Sequence, residues 1–327
     1  MIITKTPFRI SFAGGGTDLK DFYSEEYGAV TSTAIDKYMY ITVNKSFDHR
    51  IRVSYSRTEL VEHIDEIQHP LVREGLKLVG ITSGIEITSI ADIPARTGLG
   101  SSSSFCVGML NALYAFKGIL KSAEALAREA AMIEIDIVGE PIGKQDQYIS
   151  AYGGLQYIRF NPDESVFVNP VITSRLIIEE LESKLLMFYT GITRDANTIL
   201  TDQKKNTNNK FHILRRMRDL AGEIQETLVS GRKLSEFGEL LHQGWVFKQE
   251  LSPLIANGII NKYYQKGLEM GALGGKLLGA GGGGFILFFC EQQNQNRLRA
   301  AMHEMELREI PFAFERQGSQ IIYVGGI

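Results

Sequence analysis

The sequence predicts an α+β chain in two domains, and three observations carry that expectation. Its 327 residues are enough for two domains and a sizeable core. Strand-like and helix-like stretches are mixed along the chain, with several antiparallel hairpin candidates. The composition shifts between Asn161 and Ser174, where Pro162 and Pro170 bracket a polar connection, so one domain is expected over 1–172 and the other over 173–327.

Taken in order, Ile2 to Phe12 reads as a strand interrupted by Pro7, which suggests an edge or a bulge. A loop, Ala13 to Asp18, and a short helical turn, Leu19 to Tyr23, follow. Thr31 to Asn44 alternates as a strand or strand pair, Ile51 to Tyr55 as another strand, and Leu71 to Val79 has helical spacing. Ile85 to Ile90 alternates as a strand, and Phe105 to Phe116 reads as a buried helix. Ser122 is a natural N-cap for a helix running to about Val138, which the Gly139-Glu140-Pro141-Ile142-Gly143 stretch must end. Asp146 to Ala151 leads through Gly153-Gly154 into a strand, Leu155 to Phe160. Beyond the boundary, Leu185 to Tyr189 is a buried strand, and Lys210 to Val229, Leu234 to Leu251 and Ile259 to Met270 are helices. Phe285 to Phe289 is a strongly apolar strand and Asn296 to Leu307 a helix, with Phe312 to Glu315 and Gln320 to Val324 as a terminal strand pair.

Composition is ordinary for a globular protein, 44% hydrophobic and 22% charged, and the net charge of −3 points to neither a nucleic-acid nor a membrane partner. Cys106 and Cys290 each sit in an apolar run and read as small buried hydrophobes of a reducing compartment. With no signal-peptide pattern at the N-terminus and no apolar run of membrane-spanning length, the cytoplasm is the expected location.

The stretch with the most chemistry in it is Pro94-Ala-Arg-Thr-Gly98-Leu99-Gly100-Ser101-Ser102-Ser103-Ser104, between a strand and a buried helix. Gly98 and Gly100 allow backbone conformations that aim successive N–H groups at one point. The helix start adds unpaired N–H groups and the positive end of the dipole. Four serine hydroxyls can hold a phosphate oxygen or a metal, whereas an N-cap alone needs one. The loop is not a Walker A motif, because Gly275-Lys276 is followed by Leu277 and no other stretch fits. Nor is it the dinucleotide fingerprint, since Ser103 stands where the third glycine belongs. It is a phosphate loop of another type.

Two further regions could converge on the same polyphosphate. Glu134 and Asp146 flank the 139–143 break, and Lys276-Leu-Leu-Gly279-Ala-Gly281-Gly282-Gly283-Gly284 is a second glycine-rich run. Phosphoryl transfer needs a cradle, Mg²⁺, and a group that orients or deprotonates the acceptor. A serine hydroxyl with one carboxylate suits a hard Mg²⁺ that takes its other ligands from phosphates and water. The six histidines are scattered without metal-ligand spacing. His242, Trp245 and Lys248 share a helix face, on which Trp245 packs and Lys248 can point into a cleft.

Taken together, Thr6-Pro7-Phe8-Arg9 with Gly14 to Asp18, then Pro94 to Ser104, then Lys276 to Gly284 resemble the three ordered motifs of the GHMP kinases, the family of galactokinase, homoserine kinase, mevalonate kinase and phosphomevalonate kinase. The resemblance spans nearly the whole chain, and the middle motif is its most specific part. It implies an N-terminal domain like the second domain of ribosomal protein S5, a ferredoxin-like C-terminal domain, and ATP with Mg²⁺ as cofactors. It further implies that the serine-rich loop wraps the nucleotide phosphates, that Ser102 and Glu134 bind Mg²⁺, that Asp146 is the catalytic base and that Arg9 assists the nucleophile and the transferring phosphoryl group. Asp18 matches a sugar-binding aspartate, and Gly15, Gly16 and Thr17 fall in the same substrate segment. Where galactokinases carry Glu-His, this chain has Gly15-Gly16, which puts plain galactose in doubt. Phe8 to Asp18 together with Gly191-Ile-Thr-Arg194-Asp-Ala-Asn197 is most similar to the D-glycero-D-manno-heptose 7-phosphate kinases. That similarity implies phosphorylation of an anomeric hydroxyl to a 1,7-bisphosphate, with Arg194 and Lys248 as candidates for reading the substrate's own phosphate. The implied partner is a small-molecule sugar phosphate, and a homodimer stays open. A fucokinase-, galactokinase- or other kinase of the same fold, and an inactive homologue that senses a sugar or nucleotide, are the competing readings.

Overall fold

A computed structural model describes residues 1–95, 97–192, 198–202 and 210–326. Its frame is a long antiparallel pair, β1 (Ile2–Ala13) and β2 (Gly28–Lys45), in register from Ile2 opposite Val43 to Ala13 opposite Thr31. The register shifts at Pro7/Phe8, as a residue without an N–H requires in the middle of a ladder. The stretch read as a strand or strand pair is therefore one strand of 18 residues. Its length lets it serve two neighbours along one edge. The first half pairs β6 (Leu155–Phe160), which pairs β7 (Val166–Pro170), and the second half pairs β5 (Ile85–Ala91). Beyond β5 lie β3 (Ile51–Ser54), parallel to it, and β4 (Thr58–Val61).

Helices α2 (Pro70–Val79), α3 (Ser101–Phe116), α4 (Ala123–Ala131) and α5 (Gln145–Tyr152) pack around this sheet. α3 is apolar nearly all round, with buried residues from Ser103 to Tyr114, because it lies against the sheet and is covered by α2, α4 and α5. Ser122 caps α4 as expected, its hydroxyl accepting from the Ala125 amide at 3.2 Å.

The second sheet has the order β11-β8-β10-β9 and is antiparallel throughout, with β8 at Leu185–Tyr189, β9 at Ala272–Leu277, β10 at Phe285–Cys290 and β11 at Arg308–Glu309. Around it lie helices Phe211–Val229, Ser235–Leu251, Gly258–Glu269 and Gln292–Glu304. The core here is built on Phe188, Trp245, Ile286 and Phe288, all at most 1% exposed.

Several seams join the halves among the described residues. Helix Phe211–Val229 lies on β1 and β2, where Thr31 Oγ1 donates to the Ala221 carbonyl at 2.7 Å. Phe22, in the short helix α1 (Lys20–Tyr23) between β1 and β2, packs its ring 4.9 Å from Phe211. The last strand, β12 (Gln320–Val324), returns to the free edge of β1.

That return corrects the expected terminal strand pair. Gln320–Val324 finds a better partner in the open edge of β1, and Phe314 bridges Ile35 of β2. The connection 161–174 holds a strand, β7, and Gly274-Gly275 lie inside strand β9. Both were hidden by polar or glycine-rich composition, since pairing with a neighbour outweighs weak local propensity.

Candidate active site

β1 explains the first half of the site. Alternation along a strand sends Phe8, Ile10 and Phe12 into the core, each at most 1% exposed, and Arg9 and Ser11 to the other face. Arg9 is nearly buried, and its fork is fully used. Nε and Nη2 donate to the two Asp146 carboxylate oxygens at 2.7 Å each, and Nη1 donates to the Gly98 carbonyl at 2.7 Å. The Arg9 amide adds a bond to the Leu99 carbonyl at 3.2 Å. A planar fork matched to a carboxylate fixes direction as well as distance. β1, the 94–104 loop and the first turn of α5 are thereby held in one geometry.

In the loop, Gly100 has φ +77 and stands at the N-cap of α3. The four serines then divide their work. The Ser102 hydroxyl donates to Glu134 Oε1 at 2.6 Å, and Ser103 is buried next to the same carboxylate. The Ser104 hydroxyl is committed to the core, to the Pro7 carbonyl at 2.9 Å and Ser150 at 3.0 Å, so it is not a free phosphate ligand. Leu99 turns its side chain into the core, and the Pro94 carbonyl accepts from the Thr97 hydroxyl at 2.8 Å. Ser101 opens α3, half-buried.

Glu134 reaches this loop because the expected helix to Val138 changes pitch. Met132–Ile137 is a π-helical turn, which widens the helix and carries Glu134 inward. Its other oxygen, Oε2, accepts from Gln147 Nε2 at 2.6 Å. Burial pushes its carboxyl up to about 7, against the hydrogen bonds from Ser102, Ser103 and Gln147. A hydroxyl and a carboxylate in contact are the oxygen donors that a hard divalent cation takes when phosphates and water complete its shell, so the Ser102–Glu134 pair fits Mg²⁺. No cluster of three His, Cys, Asp or Glu side chains occurs among the described residues.

Beside Asp146 lies a polar cavity lined by Arg9, Ser11, Gly15, Gly16, Asp18, Gly143, Gln145, Asp146, Lys248, Lys276 and Gly279, with Leu19, Ile142, Leu200, Met217 and Ala280 as its apolar wall. Asp18 accepts from the Gly16 amide at 2.9 Å and the Gln145 amide at 3.2 Å. Burial raises its carboxyl despite those bonds, and the nearby Asp146 charge adds to the rise. Gly143 allows this approach, since a Cβ there would lie 2.1 Å from Asp18 Oδ2. Thr17 is placed otherwise than the substrate reading expects. Its hydroxyl donates to the Gly14 and Ala29 carbonyls and accepts from the Ala29 amide, closing the loop onto β2 and leaving nothing for a ligand.

Two lysines enter from the second half. Lys248, on helix Ser235–Leu251, donates to the Gly279 carbonyl, and burial together with the Arg9 charge pushes its ammonium down to about 8. Lys276 donates to the Phe12 carbonyl at 2.9 Å, and burial holds it well below the usual lysine range. Trp245, one turn from Lys248, is fully buried as the helix face predicts. Gly279 abuts Gly98, while Gly281 and Gly283 abut Ile255 and Ile192. The Gly282 amide donates to the Ile255 carbonyl at 2.8 Å. Arg194 lies outside the described residues.

The structure thus brings Arg9, Asp18, Asp146, Lys248 and Lys276 around one cavity, with Ser102 and Glu134 paired beside the loop. Sequence reading overlooked Ser11, Gln145, Leu200 and Met217. The signal for Ser11 was available, since it follows Arg9 by two on the same strand.

The family model described as "GHMP kinases N terminal domain" matches residues 63–154, and that described as "GHMP kinases C terminal" matches 221–306, together more than half of the chain. A D-glycero-alpha-D-manno-heptose 7-phosphate kinase of Campylobacter jejuni is 27% identical, with 97% of each chain covered. A bifunctional fucokinase/GDP-fucose pyrophosphorylase of Arabidopsis thaliana is also 27% identical over 91% of this chain, which matches 31% of its length. The crystal structure of a D-glycero-D-manno-heptose 1-phosphate kinase from Bacteroides thetaiotaomicron superposes with a TM-score of 0.83 over the whole of both chains at 24% identity, which speaks for the fold. With the serine-rich loop and Asp146 inside the first matched domain, and the two domains together covering more than half of the sequence, the chain belongs to the GHMP kinase family and is an ATP-dependent phosphotransferase.

Proposed function

We propose that the chain is a sugar kinase that transfers the γ-phosphoryl group of ATP to the anomeric hydroxyl of D-glycero-D-manno-heptose 7-phosphate, giving the 1,7-bisphosphate for nucleotide-activated heptose synthesis. The observation that carries this reading is the Asp146 carboxylate, aimed into the cavity by the Arg9 fork with Asp18 and two lysines on the same wall. Support for the sugar comes from the Campylobacter relative, matched over 97% of both chains.

In this mechanism the nucleotide phosphates lie over 98–104 at the start of α3. Asp146 takes the proton of the attacking hydroxyl, the new P–O bond forms at the γ-phosphorus, and the bond to the bridging oxygen breaks to release ADP. Arg9 keeps the carboxylate directed and lends positive charge to the transferring group. Ser102 and Glu134 would hold Mg²⁺, which neutralises phosphate charge when bound. Asp18, with Gly15 and Gly16, receives the sugar, and Lys248 with Arg194 would read its distal phosphate. Lys276 and Gly279 to Gly283 back the phosphate loop. We keep the division near residue 172, with β12 returned to the first sheet, and place the protein in the cytoplasm; among the described residues no helix is long and apolar enough to cross a membrane.

The test is ATP turnover on a panel of heptose 7-phosphate, free heptose, fucose, galactose and mevalonate. The heptose phosphate should give the highest kcat/KM. Preference for fucose, which the Arabidopsis relative makes the second reading, would replace the substrate while keeping the chemistry. No turnover on any of them would favour an inactive sensor.

A further inference from the structure

Two buried polar atoms on the cavity wall have no hydrogen-bond partner among the described residues, Ser11 Oγ and Gln145 Oε1. Ser11 is 7% exposed, and no water of the bulk can satisfy its hydroxyl without entering the cavity. A buried hydroxyl with no partner is destabilising, so native proteins rarely keep one without use for it. The neighbouring polar side chains are already engaged. Arg9 and Asp146 bond each other, Asp18 holds two amides, and Lys248 and Lys276 hold carbonyls.

Both side chains border one small space, which exists because residue 15 is glycine. A Cβ on Gly15 would stand 3.5 Å from Gln145 Nε2 and 3.9 Å from Ser11 Oγ. The space is therefore edged by a hydroxyl, which can donate or accept, and by a carboxamide, which offers both an acceptor and donors. A single ligand hydroxyl matches that pair, accepting from Gln145 Nε2, the carboxamide atom that borders the space, and bonding Ser11 Oγ. Ser11 lies two residues beyond Arg9 on one strand, about 7 Å along it. An acceptor whose reacting oxygen is at Asp146 would present to Ser11 another hydroxyl of the same ring.

We propose that Ser11, with the Gln145 carboxamide, is a specificity-determining residue that reads one ring hydroxyl of the acceptor over Gly15. This rests on the reading of the acceptor as a sugar. It narrows the substrate class to polyhydroxylated rings, because an acceptor with hydrogen at that carbon leaves the buried Ser11 hydroxyl unpaired.

The test compares heptose 7-phosphate with its mono-deoxy analogues, using wild type, Ser11→Ala and Gly15→Ala. Wild type should lose about 10-fold or more in kcat/KM on one analogue in particular. Ser11→Ala should lose about 5- to 20-fold on the parent sugar and little further on that analogue, with KM for ATP unchanged. Gly15→Ala adds a methyl at ordinary contact distance, so the fold should hold while KM for the sugar rises. Equal losses for Ser11→Ala on the parent and every analogue would overturn the proposal, as would a Gly15→Ala enzyme with wild-type KM for the sugar. If wild type prefers another sugar of the panel, the heptose reading fails by itself, and the same comparison with that sugar's deoxy analogues decides the role of Ser11.

Discussion

The loop at 94–104 has two glycines and the run at 276–284 has five, and the two stretches differ in what those glycines face. A Cβ on Gly100 would stand 3.2 Å from both Arg9 Cγ and Asp146 Oδ2. A Cβ on Gly279 would stand 2.4 Å from Gly98 Cα, on Gly283 2.4 Å from the Ile192 carbonyl, and on Gly284 2.2 Å from the Thr97 carbonyl. The Gly282 and Gly284 amides are spent on the Ile255 and Ile192 carbonyls at 2.8 and 2.7 Å. At Gly100 the first loop thus turns toward Arg9 and Asp146, whereas Gly98 packs on Leu278 and Gly279, and the second run is a backbone wedge against the first. Glycine marks where backbone comes close to something, and only the structure says to what.

The strongest way to break this division is at the residue the first loop faces. Asp146→Asn keeps the shape of the side chain and removes its basicity. It should lower kcat by about 10²-fold or more, with KM for ATP nearly unchanged. A variant with near wild-type kcat, when chemistry limits turnover, would take Asp146 out of the mechanism and the first loop out of the reacting site.

Next in size is the metal. Ser102→Ala removes the hydroxyl oxygen of the pair, and Glu134→Gln removes the negative charge and one of the two carboxylate oxygens. Each should raise the Mg²⁺ concentration for half-maximal rate by about tenfold or more, since few protein ligands share the load. Titration curves that coincide with wild type would leave the Ser102–Glu134 contact a packing feature.

Gly279→Ala is the matching test of the second loop. Its φ of +75 and its contact with Gly98 make any side chain costly, and a loss of about 1–3 kcal/mol in stability is expected. Denaturant melts should move while kcat at saturating substrates, below the melting transition, holds within a fewfold. A large fall in kcat with no loss of stability would mean that the second run acts on the phosphates directly.

How much of this was legible beforehand follows the same division. The Arg9–Asp146 and Ser102–Glu134 contacts join residues that the sequence had already singled out, because residue type at a fixed place in a motif marks them. Lys248 was legible as a helix-face position, but its direction into the cavity depends on how helix Ser235–Leu251 meets the first half. Glu134 was visible as a carboxylate, while the π-turn that buries it has no local signature. Thr17 and Ser104 look like ligand hydroxyls and are consumed by carbonyls brought near only by folding, at Ala29 and Pro7. β12 could not be assigned to β1 across more than 300 residues, because pairing at that separation is a property of the edge left open.

The smallest expected effect concerns Lys248, the side chain that spans the two regions by bonding Gly279 while facing Arg9, Asp18 and Asp146. Its ammonium is pushed down to about 8 by burial and by the Arg9 charge, against the pull of Asp18 and Asp146. Below pH 8 it is charged in the free enzyme, and above pH 8 it is neutral. If it reads the distal phosphate of the acceptor, kcat/KM should fall by about tenfold as pH rises through 8, because a charged donor is replaced by a neutral one. The bound dianion favours the charged form, so the limb in kcat, which reports the complex, should lie at higher pH than the limb in kcat/KM. Protonation of the acceptor phosphate itself, near pH 6, is well separated from this limb. Lys248→Met should remove the alkaline limb for the phosphorylated sugar and leave the unphosphorylated one unaffected. An alkaline limb that persists in the variant would assign the titration to another group and confine Lys248 to bracing the second loop through Gly279.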